Sequence, residues 1–302
     1  IIDGLTDEQQ QDTPFCLHVR YAMTPIGQRL EEVESVLEYI IVLRDVMRLV
    51  MALHDECEIL HRDISDGNIL IWRDENGRVH GMLIDFDCAL DMSVAGLPIR
   101  QERTGTPCFM SVANLEGLPV DHTTLDEWES ALYLTCWKGV FGVNSKFNPP
   151  TNGMSDTLKT WGCGDFDDIG ASKRELMGTE DSFEDNVLDS FFDAQDGHNV
   201  LWPLAWALRS GLFDNRNVPQ ACRGARRPRT TVSKTAKGRT LLMRIPEEGG
   251  NQSAAEMEPK AQVDPLVERV QYHTVISADL MHILNQSAKE AEKLLPPIAP
   301  VA

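Results

Sequence analysis

The sequence predicts an α+β fold that is mostly helical and carries one short β-hairpin. Three observations lead there. Residues 35–56 place apolar side chains at Val36, Tyr39, Ile40, Leu43, Val46, Met47, Val50, Met51 and Leu53, the spacing of a helix buried on most of its sides. Two short runs rich in β-branched and aromatic residues follow, at 69–72 and 79–86. Between them stands Asp74-Glu75-Asn76-Gly77, and Asn-Gly is a strong hairpin signal.

The other elements follow in chain order. Residues 1–16 are polar, and 15–21 read as a strand. Thr24-Pro25 begins a turn and a short helix over 27–33, since proline suits a first helical turn. Residues 124–140 form a second buried helix carrying Trp128, Ala131, Leu132, Leu134, Thr135 and Trp137. Further helices are expected at 171–177, 182–194 and 200–212. Beyond about 216, proline, arginine, threonine, serine and lysine replace apolar periodicity, and Glu247-Glu248-Gly249-Gly250-Asn251 reads as linker. A last amphipathic helix is expected over 264–295. Trp161, Trp202 and Trp206 read as core, and the acids of 165–168 as solvated surface.

Composition narrows the function classes. The chain has 302 residues, 42% hydrophobic and 25% charged, enough for one large or two ordinary globular domains. Its net charge of -19 argues against nucleic-acid binding through the whole surface. No stretch approaches the run of about 20 apolar residues that a membrane helix needs. The seven cysteines include no Cys-x-x-Cys pair, which argues against zinc. Unpaired cysteines in a long chain, with no signal peptide at 1–15, point to an intracellular compartment, cytoplasmic or nuclear. One segment breaks the acidic trend: from Arg223 to Arg244 there are eight Lys or Arg residues and no acid. It reads as a solvated linker, as a nuclear-import signal that would engage an import factor, or as a docking strip for acidic partners.

The chemistry-bearing motif is His61-Arg62-Asp63-Ile64-Ser65-Asp66-Gly67-Asn68, in the loop between the long helix and the hairpin. Asp85-Phe86-Asp87 closes the second hairpin strand. Phosphoryl transfer needs positioning and charge neutralisation more than covalent help. An aspartate must take or orient the proton of the attacking hydroxyl, and Asp63 fits. A second carboxylate must hold a metal that bridges the phosphates, and Asp85 fits. An amide oxygen completes the metal shell without adding charge, and Asn68 fits. His61 reads as a packing and hydrogen-bonding residue rather than an acid or base.

Protein kinases and small-molecule kinases of the aminoglycoside or choline type share this pattern. Two downstream segments resemble protein kinases. Thr104-Gly105-Thr106-Pro107-Cys108-Phe109-Met110-Ser111 is similar to the end of an activation segment. Asp126-Glu127-Trp128-Glu129-Ser130 is similar to the start of the central helix in casein-kinase-like and fungal-type kinases. With Arg-Tyr-x-Met-x-Pro-x-Gly at 20–27 and Leu-Ile-Asp-Phe-Asp-x-Ala at 83–89, residues 15–215 resemble the fungal-type protein kinase family.

That resemblance implies a protein-kinase-like fold, mainly its helical C-terminal lobe. It implies transfer of the ATP γ-phosphate to Ser or Thr of a protein substrate, with Mg2+. Asp63 would be the base, supported by Arg62, Ser65, Asn68 and Thr106. Asn68 and Asp85 would bind the metal and nucleotide. Asp87, where these kinases usually have glycine, is either a second metal ligand or a solvated charge. Ser65 stands where most kinases carry a phosphate-facing lysine. Glu127 stands where an aspartate normally braces the catalytic loop, and its extra methylene puts that brace in doubt. Arg62 could pair with a phosphorylated Ser93 or Thr104. Residues 1–20 hold one glycine and no lysine, so a Gly-rich loop and strand lysine are expected to be missing, as in a truncated chain that begins at Ile1. The expected division is a residual N-terminal segment at 1–20, a large lobe at 21–215, a basic linker at 216–262 and a helical tail at 263–302. An interaction module without turnover, and a small-molecule phosphotransferase, remain as alternatives.

Overall fold

The computed structural model describes residues 24–94, 103–117, 122–143, 156–191, 200–214 and 265–294. The strand expected at 15–21 and the basic stretch at 223–244 lie outside the described residues. What is described combines helices with two small antiparallel sheets.

Helix α1 (Val36–Cys57) begins where the Ser35 side chain accepts the Glu38 amide at 3.2 Å. Serine is a favoured N-cap because its short side chain satisfies one of the helix's orphan donors. The helix stops at Glu58, whose φ of 56° is left-handed. The hairpin pairs β3 (Ile69–Arg73) with β4 (Val79–Leu83) in the register Ile69↔Leu83 to Arg73↔Val79. It lies directly on α1. A Cβ on Gly81 would stand 2.4 Å from the Val42 carbonyl oxygen, so only glycine allows that approach. Arg73 at the end of β3 binds both carboxylate oxygens of Glu38, at 2.7 and 2.9 Å, which ties hairpin to helix. Burial alone would raise the Glu38 pKa, but Arg73 and the Glu34 amide more than offset it and hold the carboxylate below its usual range.

The segment after Pro25 departs from the expected helix over 27–33. Residues Gln28–Arg29 form β1, paired with Ile71 and Leu70 of β3, and only Leu30–Glu32 coil into a 3-10 turn. Pairing with the hairpin edge wins over local helical preference. The second hairpin strand also ends earlier than expected, at Leu83. The Ile84 amide leaves the sheet to bond the Asn68 carbonyl at 2.9 Å, and Asp85 turns left-handed at φ 65°.

Two-residue strands β2 (Ile59–Leu60) and β5 (Leu90–Asp91) pair with each other. After the short α2 (Val112–Leu115) comes α3 (Thr124–Phe141), the centre of the molecule. Its Trp128, Leu132 and Leu134 are fully buried, and each such leucine contributes roughly 1.5–3 kcal/mol. Around it stand α4 (Asp156–Trp161), α5 (Phe166–Gly178), α6 (Glu180–Asn186) and α7 (Leu201–Phe213). Asp165, expected as plain surface, caps α5 by accepting the Asp168 amide at 2.9 Å. Trp161 is fully buried, while Trp202 and Trp206 stack on each other half-buried.

The last helix, α8 (Pro265–Leu294), packs on α1, α7 and α3. Leu280, Leu284 and Ala288 are its buried face. Arg44 of α1 binds Glu292, and Thr124 and Ser277 share a hydroxyl contact of 3.2 Å. No described helix is long and apolar enough to cross a membrane.

Candidate active site

The β2–β5 pair pins two loops at their bases. One is 61–68, between β2 and β3; the other is 84–89, between β4 and β5. His61 joins them. The Asp63 amide can only donate, so its 3.3 Å contact makes His61 Nδ1 an acceptor. His61 Nε2 then carries the proton and donates to the Ile84 carbonyl at 3.0 Å. The same ring meets Phe86 edge-on at 4.9 Å. Both ring nitrogens are occupied in holding loops, which matches its reading as a packing residue.

Asp63 is held from three sides. Its Oδ1 accepts the Thr106 amide at 2.8 Å and the Thr106 hydroxyl at 2.9 Å. Its Oδ2 accepts Asn68 Nδ2 at 2.8 Å. Thr106 comes so near because Gly105 adopts a φ of 116°, where a Cβ would lie 3.0 Å from the Arg62 carbonyl oxygen. Arg62 itself is left-handed at φ 70°, a strained state for a long side chain that persists only where surroundings impose it.

Glu127 of α3 supplies part of that imposition. Its Oε1 accepts the Arg62 amide at 2.7 Å. The brace that the longer side chain put in doubt is therefore present. His122 Nε2 also reaches Glu127 Oε1, at 3.2 Å. Burial would lower the His122 pKa, but Asp126 and Glu127 outweigh it and raise it above the ordinary histidine value. Asp126 shows the converse. Burial would raise it, but His122, the Ser111 hydroxyl and Thr123 hold it below the usual carboxylate range.

The remaining predicted residues are placed as follows. Ser65 is buried inside the loop, its carbonyl accepting the Asn68 amide at 3.2 Å. Asp85, Phe86 and Asp87 are exposed, with one long contact of 3.4 Å from the Asp87 amide to Asp85 Oδ1. Ser93 is exposed and donates to Asp91, whereas the Thr104 hydroxyl is buried. Arg62 Nε, also buried, has no hydrogen-bond partner among the described residues.

Among the described residues no three His, Cys, Asp or Glu side chains form a ready cation cage. The donor set is of another kind. Asn68 Nδ2 is spent on the Asp63 carbonyl at 3.0 Å and on its carboxylate, which leaves amide oxygen Oδ1 as the face for a cation. Cys88 senses the charge nearby: burial raises its thiol pKa, and Asp63, Asp85 and Asp87 raise it further against Arg62. Hard oxygen donors with excess negative charge suit a hard dication that keeps several waters.

A family model described as fungal protein kinase matches residues 4–138. The likeness to that family covers less than half of the chain. No curated protein matches the chain. That family as a whole implies kinase-type chemistry with ATP and a metal. The match ends within α3, so the similarity expected to run to 215 is supported over its first part, and α4 to α8 stand beyond it.

Sequence reasoning passed over two lysines near this site. Lys138, the first lysine of the sequence, is buried on α3 with Nζ 3.5 Å from Asp66 Oδ2. Lys173 of α5 is buried against the 106–110 turn. The available signal was a cation within a predicted helix, which ordinarily reads as solvated surface.

Proposed function

We propose that the chain carries the catalytic-loop side of a protein kinase that moves the ATP γ-phosphate to a Ser or Thr hydroxyl of a protein. The observation that carries this reading is the fixed Asp63 carboxylate. Three hydrogen bonds from Thr106 and Asn68 set its orientation before any substrate arrives, and preorganised geometry is what phosphoryl transfer asks of the protein. Asp63 Oδ2 accepts one bond and keeps a lone pair with which to orient the attacking hydroxyl and take its proton.

Asn68 Oδ1 and Asp85 would hold Mg2+, with Asp87 as a further carboxylate beside them. When bound, the metal neutralises charge on the phosphates. Arg62 holds the loop through its backbone, not its guanidinium, in the bond to Glu127. Ser65 supports the loop's turn. We assign residues 21–215 to the large lobe of such a kinase. The preference for protein over small-molecule acceptors rests on the 104–111 segment, where Gly105 and Thr106 abut Asp63.

The test is transfer of labelled phosphate from Mg-ATP by the intact protein, with a generic protein and with amine and alcohol metabolites offered separately, beside Asp63→Asn. Label on protein Ser or Thr that disappears in Asp63→Asn supports the proposal. Label only on a metabolite would move the chain to the small-molecule class. No transfer and no Mg-ATP binding would leave an interaction module.

A further inference from the structure

Lys173 is a fully buried cation that the proposed chemistry leaves without a task. Its side chain has no exposed surface. Its Nζ donates to the Met110 carbonyl at 2.8 Å and the Pro107 carbonyl at 3.2 Å. It sits 4.0 Å from the ring centre of Tyr133 and 5.2 Å from that of Trp161. Glu129 of α3 is the ionised group that favours its charge, while burial keeps the nearby Cys108 and Cys136 thiols protonated. Glu129 is itself engaged, accepting the Val112 amide at 2.8 Å.

Burying an ammonium is expensive even with good partners. Burial pushes the Lys173 pKa down to about 7. The folded value lies below the ordinary 10.5, so between the two the unfolded chain binds more protons. Stability therefore rises as pH climbs from about 7 towards 10.5 and is lowest below 7. A side chain kept for stability alone would be apolar here.

What Lys173 touches suggests its task. Pro107 and Met110 lie in one tight turn, in which the amides of Phe109 and Met110 both bond the Thr106 carbonyl, at 2.8 and 3.1 Å. Lys173 ties down two carbonyls of that turn. The turn's first residue, Thr106, is the one whose amide and hydroxyl hold Asp63 Oδ1. The path runs from α5 through Lys173 to the turn, to Thr106 and to Asp63, and it starts beyond the segment that matches the kinase family. We propose that Lys173 is a positioning residue, which fixes the 106–110 turn so that Thr106 orients Asp63, at a cost to the stability of the fold. The catalytic meaning of that role rests on the proposed kinase reading; the mechanical part does not.

The experiment compares the intact protein with Lys173→Met and Lys173→Gln. It reads amide hydrogen exchange over 104–110, thermal melting at pH 6 and pH 9, and kcat and KM for transfer. Methionine fills similar volume with neither charge nor donor. The Thr106, Phe109 and Met110 amides should exchange about tenfold faster or more in Lys173→Met, while Tm at pH 6 stays level or rises and the gain in stability towards pH 9 disappears. Glutamine, whose amide nitrogen can donate to both carbonyls, should recover much of the protection. If transfer is detectable, kcat should fall with the nucleotide KM unchanged. Unchanged exchange in Lys173→Met would overturn the proposal. So would a Lys173→Met chain that melts several degrees lower at pH 6 or does not fold, because Lys173 would then be a stabiliser. Absence of transfer in the unmodified protein would sink the kinase reading, yet exchange would still decide whether Lys173 holds Thr106.

Discussion

The two carboxylates of the candidate site are built in opposite ways. Asp63 is half-buried and accepts three hydrogen bonds of 2.8 to 2.9 Å, and the loop that carries it is braced from α3 by Glu127. Asp85 is exposed, turned left-handed and touched by one amide at 3.4 Å. The difference teaches where organisation comes from. The Asp63 side is set by protein groups alone, through a positive-φ glycine and a buried turn. The Asp85 side has a left-handed backbone and leaves its carboxylate exposed with one long contact.

That contrast gives ordered expectations. Asp63→Asn should cost the most, about 10²- to 10⁴-fold in kcat for transfer, with melting lowered by a few degrees because an amide NH2 then faces the Asn68 Nδ2 donor. Asp85→Asn should come next, on the order of 10²-fold in kcat/KM at low Mg2+. Its melting curve should match the unmodified protein's, since no described contact depends on its charge, and a Mg2+ titration should recover part of the loss. If Asp85→Asn instead unfolds the protein, the contrast between the two sides is wrong.

Three smaller effects sharpen the picture of the braced side. Glu127→Ala leaves the half-buried Arg62 amide without its acceptor, so denaturant unfolding should show a loss of roughly 1–3 kcal/mol. Thr106→Val removes the hydroxyl bond but keeps the amide bond, for about 0.5–1.5 kcal/mol and a several-fold fall in kcat. His122 gives the smallest effect. Its folded pKa is raised, so its contribution is full below about pH 6.5 and is lost as pH rises through the folded value. Chemical unfolding between pH 6 and pH 8 should show that decline in the unmodified protein and a flatter profile in His122→Gln.

Much of this was legible in the residues because the signals are local. The periodicity of α1 and α3 and the Asn76-Gly77 turn each lie within one element, and the structure gives those elements within a residue or two of the expected ends. Asp63 and Asn68 share one loop, so their pairing needs no distant partner. The misses depend on remote contacts. Residues 28–29 are a strand only because Leu70 and Ile71 receive them. The strand at 79–86 stops early because Ile84 is claimed by Asn68. The β2–β5 pair and the short helices α2 and α4 are too brief to show a period. Lys138 and Lys173 look like solvated cations until the loops they meet are in place. Glu127 was noticed, but its reach could not be judged without the position of Arg62.

The most direct test of the account is transfer of labelled phosphate from Mg-ATP to a protein acceptor by the intact protein and by Asp63→Asn, with melting curves recorded on both. The account predicts label on Ser or Thr with the unmodified protein, a loss of about 10²-fold or more in Asp63→Asn, and a variant that melts a few degrees lower but stays folded under the assay conditions. Equal transfer by the two proteins would contradict it, because the carboxylate that the fold holds most firmly would then have no part in the reaction.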